Sequence, residues 1–222
     1  MIREDYILTW IKRYIRWLAE IAGFVRARDY EAAIRRIDLL LRTLLEVGPD
    51  SVTDLSDGEI LARLTLGELG QLVDEKCMVL AAVLIQLAMV SAAQQRLELS
   101  RDCFLKSLHL VLGLKLRGDG TELAEYVPTV EELVEALKPY DLPPRTYAAL
   151  MIFHEQQGKF AKAEDALFAL LESAPGNGDV IEMGVAFYER LLALDDATLS
   201  LGELPRTEVE SGLAEIRKSK VG

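Results

Sequence analysis

Residues 154–175 read HEQQGKFAKAEDALFALLESAP. A helical His-Glu is how a zinc-protease motif opens, with two imidazoles one turn apart on the metal and the glutamate as base. The second imidazole is due at 158, where the chain has glycine. With no second ligand at helical spacing, His154 is expected to be a half-buried packing residue. The other histidine, His109, likewise lacks a ligand-type residue at the right spacing. Cys77 or Cys103 could pair with His109 as nucleophile and base, but each cysteine sits in an apolar helical pattern that favours an inert thiol. The acid pairs Asp74-Glu75, Glu131-Glu132 and Asp195-Asp196 are sequence neighbours, point to different helix faces, and suit capping better than acid–base work. Gly118-Asp119-Gly120 is neither a dinucleotide fingerprint nor an EF-hand loop. No catalytic, metal-ligating or cofactor-binding residue is assigned, and a non-enzymatic protein without cofactor is expected.

The elements that would position such groups are helices. Leu, Ala, Glu and Arg dominate the 222 residues, and aromatics make up only 7 %. Tyr6, Trp10, Tyr14, Trp17, Ile21 and Phe24 recur at helical spacing and mark one face of a long first helix, with Lys12, Arg13, Arg16 and Glu20 away from it. A second helix is expected over about 29–47, ending at Gly48-Pro49. Residues 77–93, CMVLAAVLIQLAMVSAA, carry no charge. They are short for a membrane span and read as a core helix buried on nearly all sides. Ser56-x-x-Glu59, Thr65-x-x-Glu68, Thr129-x-x-Glu132 and Thr207-x-x-Glu210 fit the capping box, in which a hydroxyl and a carboxylate satisfy each other's backbone donors. Pro143-Pro144 opens another helix and Pro175-Gly-Asn-Gly178 closes a hairpin. Gly113 to Pro128 reads as an irregular surface connection. The fold class is all-α.

Charge excludes one class of partner. The net charge of -11 opposes nucleic-acid binding, which needs clustered Lys and Arg. Residues 1–44 hold nine bases against six acids, whereas 45–75 hold eight acids against Arg63 alone. Two cysteines suggest no disulfide framework, and Lys12, Arg13 and Arg16 interrupt any secretory signal, so a cytoplasmic protein is expected.

The interval from Leu150 through Gly158, Phe160, Ala163, Leu167 and Leu170 to Pro175 resembles the tetratricopeptide repeat, a helix-turn-helix of about 34 residues. Tyr147 stands at its usual Trp; Met151 and His154 depart from its usual Gly and Tyr. Tyr30, Ala33, Ile37 and Leu40 repeat the intervals, and Leu97, Ser100, Phe104 and Ser107 do so again. The opening MIREDYIL, the central GKFAKAEDALFALLE and the closing FYERLLALDDATLSLGELPRTEVESGLAEIRK are similar to an uncharacterised family of bacterial helical proteins with tetratricopeptide-like repeats. That resemblance implies no activity. The expected architecture is one domain over 1–222, an irregular right-handed α-α superhelix. It comprises an N-terminal hairpin (1–48), central helices (49–115), a repeat-like hairpin with a following helix (128–194) and a capping helix (205–218).

Such stacks receive peptides on the face made by the first helix of each pair. Here that face would carry Arg145, Ile152, Glu155 and Gln156 in one unit and Ile85 and Met89 in another. The second set is too apolar for a carboxylate clamp, so an apolar helix or the protein's own first helix would fill it. The face of Tyr6, Trp10, Tyr14 and Trp17 would serve internal packing or a homodimer, with membrane contact the least favoured use. The function expected is a scaffold or adaptor for a protein or peptide; the alternative is a small-ligand binder or enzyme whose site between helical layers leaves no motif.

Overall fold

The computed structural model describes residues 2–66, 70–117 and 122–219, except the side chains of 2–8, 70, 71 and 219. Among these residues there are eleven helices and no strand. The chain divides into two compact units, 1–141 and 142–222.

The first unit holds α1 (Ile2–Arg26), α2 (Tyr30–Leu45), α3 (Asp57–Thr65), α4 (Gly70–Ala93), α5 (Leu97–Leu116) and α6 (Val130–Leu137). Its centre is α4, which packs against α1, α2, α3 and α5. Val79, Leu80, Ala81, Val83, Leu84, Leu87 and Ala88 are wholly buried. This explains the uncharged run: a helix walled in by neighbours on most sides has little face to give to water. By length and composition α4 could also cross a membrane, and 67 % of its most apolar stretch is buried inside the protein. Against it lies α5, whose small residues Ser100, Cys103 and Ser107 are buried and let the two backbones approach. The Ser107 hydroxyl donates to the Ala81 carbonyl at 3.0 Å, so the polar atom at this seam is satisfied.

The second unit holds α7 (Pro144–Gln156), α8 (Phe160–Ser173), α9 (Gly178–Leu192), α10 (Asp196–Leu201) and α11 (Arg206–Ser219). It is built from two antiparallel pairs, α7 with α8 and α9 with α11. Gly212 of α11 sits against Tyr188 of α9, where a Cβ would lie 2.4 Å from the ring. The Tyr188 hydroxyl donates to Glu164 of α8 at 2.7 Å, tying three helices together.

Three of the helix pairs are closed by the same turn. Arg28, Gln95 and Gly158 have positive φ (58°, 61° and 68°). Each is followed by a residue near φ -90°, ψ 70° (Asp29, Arg96 and Lys159) and then by the next helix. Each of those residues donates its N–H five residues back: Asp29 to Phe24 at 2.9 Å, Arg96 to Ser91 at 2.8 Å, Lys159 to His154 at 2.9 Å. This is the long bond of a Schellman motif. The small residue three places into the following helix, Ala33, Ser100 or Ala163, is buried every time. The recurring intervals in the sequence therefore correspond to recurring geometry.

Several helix starts differ from their expected form. Ser56–Glu59 and Thr129–Glu132 form full capping boxes. Thr65 does not start a helix: it ends α3, and its hydroxyl donates back to Leu61 and Ala62, while Glu68 lies outside the described residues. Thr207 lies inside α11, which begins one residue earlier. The irregular stretch starts later than Gly113, because α5 runs through Leu116; Gly118-Asp119-Gly120 lies outside the described residues. A short helix, α10, occupies 196–201 with Asp195 as its cap.

Only Gly158 suits its left-handed position, since a side chain there costs about 1 kcal/mol. Gln95→Gly should raise unfolding stability by about 1 kcal/mol, and Gly158→Ala, whose Cβ would meet nothing within 4 Å, should lower it by about as much. Urea unfolding monitored by circular dichroism checks both.

Candidate functional site

The aromatic face of α1 is interior. Trp10 is 7 % exposed and Tyr14 1 %, with their rings stacked at 3.9 Å. Trp17 is half-buried beneath two guanidinium groups, Arg13 at 5.4 Å and Arg36 of α2 at 5.7 Å from its ring centre. Arg36 also reaches Glu20 at 2.7 Å, so Glu20 belongs to the α1–α2 seam and not to the outer face where its spacing put it. Tyr6 falls outside the described side chains. What α1 covers is α2 and α4.

The apolar face assigned to α4 is partly covered by the chain itself. Ile85 is half-buried in a recess of about 330 Å³, together with Ala82 and Phe104 and the stretch Tyr126 to Pro128. One turn on, Met89 remains 47 % exposed. On α7, Arg145, Ile152 and Gln156 are exposed. Glu155 on the same face is not open: it takes two hydrogen bonds from Arg190 of α9, at 2.6 and 2.7 Å. A planar guanidinium fork on a carboxylate fixes orientation as well as distance. This pair therefore ties α7 to α9 at one point, with Ile152 one turn away. His154 is buried at 9 % exposure, deeper than expected, its ring 5.2 Å from that of Phe153.

Spacing could not foresee that side chains from α3, α4 and α5 meet around a cavity of about 340 Å³. Its walls include Ile60, Leu61, Cys77, Leu110 and Gly113, with Asp57, His109 and Arg117 as the polar members. His109 Nδ1 stands 2.9 Å from an Asp57 carboxylate oxygen. Arg117 reaches Asp74 at 2.6 Å through Nη1 and bonds the Gly113 carbonyl through Nε. Cysteine, histidine and aspartate thus share one cavity, but no hydrogen bond joins Cys77 to His109 among the described residues. Burial pushes the Cys77 thiol up to about 11 and the Cys103 thiol up to about 12. A nucleophilic cysteine needs the opposite shift. No cluster of three metal-ligating side chains exists among the described residues.

A shallower depression of about 800 Å³ along α2 is lined by paired charges, Arg42 with Asp38 and Arg96 with Asp50.

The raised thiols fix a pH dependence. Both are protonated in the folded state, and the unfolded chain would release those protons near pH 9. Their contribution to stability is complete below that value and lost as pH rises through 11 to 12. Unfolding free energy should accordingly fall between pH 9 and 11, and iodoacetamide at pH 8 should label neither thiol until urea is added.

The chain belongs to a family of unknown function, DUF6483, whose model matches residues 1–221. No curated protein and no solved structure matches it.

Proposed function

We propose that this protein is a non-enzymatic scaffold or adaptor of the tetratricopeptide-like kind, which binds a protein or peptide on the face shared by α7 and α9. The Glu155–Arg190 fork carries this reading. It ties together the first helices of two successive pairs, the helices a peptide-receiving surface would use, and Ile152 is exposed one turn away. The three congruent turns and the buried small residues Ala33, Ser100 and Ala163 support descent from one repeated hairpin. Arg145, Ile152 and Gln156 would meet the partner, with Ile152 as the apolar anchor and Glu155 as a fixed acceptor at its edge. Thiols held protonated by burial support a binding role over a covalent one.

In this reading the apolar helix α4 serves a water-soluble bacterial protein of the cytoplasm, and the acidic surface gives no purchase to nucleic acid. The buried Trp10 and Tyr14 favour α1 as an internal brace over a membrane or dimer element.

The test is crosslinking in the cell of origin with the full chain tagged, comparing wild type with Ile152→Asp. A partner recovered in stoichiometric amount with wild type should be lost with the variant at unchanged circular dichroism. A partner recovered equally with both, or no partner with either, would remove this face from the account.

A further inference from the structure

The cavity between α3, α4 and α5 belongs to the first unit and has no part in the face just described. Its most informative residue is Gly113. It lies within α5 with ordinary helical geometry, and a Cβ built on it would meet nothing within 4 Å. Neither a turn nor a close approach requires glycine here. Yet glycine inside a helix destabilises it by about 1 kcal/mol relative to alanine. What the missing side chain provides is space, because Gly113 lines the cavity.

The rest of the lining says what fits that space. Ile60, Leu61 and Leu110 make it an apolar slot, at the small end of the range of about 300–1,000 Å³ common for ligand pockets. At its rim the Asp57 carboxylate is held by His109 at 2.9 Å. Asp74 is held by Arg117 Nη1. Arg117 Nε is committed to the Gly113 carbonyl, which leaves Nη2 unengaged among the described residues. That nitrogen is a cationic donor on a side chain still 43 % exposed, at the mouth of an apolar slot.

We infer that this cavity binds a small aliphatic carboxylic acid, its carboxylate on Arg117 Nη2 and its chain against Ile60, Leu61 and Leu110. A carboxylate suits the site because a charge-assisted bond to guanidinium is about twice as strong as a neutral one. An amine would find Asp57, the acid of the lining, already beside His109 Nδ1 at 2.9 Å.

Octanoate is the probe, with octan-1-ol as its uncharged counterpart, both titrated calorimetrically against the full chain. Octanoate should bind and raise the melting temperature, and the alcohol should bind at least about tenfold more weakly. Arg117→Gln, a surface change, should weaken octanoate by about tenfold and leave the alcohol unaffected. Gly113→Leu should raise the melting temperature without ligand and abolish the octanoate heat. An absent octanoate heat with wild type would overturn the proposal. So would equal affinity for acid and alcohol, an Arg117→Gln variant that binds octanoate as wild type does, or a folded Gly113→Leu variant with binding intact.

Discussion

Close approach of paired helices is the constraint on which the molecule depends. Two helices joined by three residues must cross near their joined ends, and the side chain at that crossing must be small. Ala33, Ser100 and Ala163 occupy this place, each buried. Each lies three residues into the helix that follows a left-handed turn residue and a five-residue back-bond. A larger side chain there would push the helices apart and undo the burial of Ile37, Leu40, Leu167 and Leu170. The turn and the small residue are two halves of one device, which the chain uses three times despite wide divergence of the residues around it.

This device explains what could be read from the sequence. Periodicity of 3.6, two capping boxes and the small-residue register reflect local physics, so the helices and their pairing were legible. The uncharged run of α4 was legible for the same reason: a stretch walled in by neighbours on most sides carries no charge. The failures have equally local causes. Thr65 and Thr207 satisfy the capping pattern, but one hydroxyl bonds back into the helix it ends and the other lies a step inside its helix. Gly113 looked like the start of a loop because glycine usually marks one. Here the helix runs past it.

The sites were less legible than the fold. Glu155 and Arg190 stand 35 residues apart, and the members of the cavity come from three helices, so no spacing rule joins them. What the sequence did offer was the apolar setting of both cysteines, and the high thiol values arise from that setting. The first helix illustrates the middle case. Its aromatic stripe was plain, while its use as a brace over α2 and α4 depended on the Arg36 bridge between Trp17 and Glu20.

Hydrogen exchange on the native full-length chain tests most directly the claim that one hairpin is used three times. The amides of Asp29, Arg96 and Lys159 should all be protected, because each donates across its turn, and the amides of α4 should be the slowest of all. Exchange at the rate of an unstructured chain at any of the three turns would contradict the account.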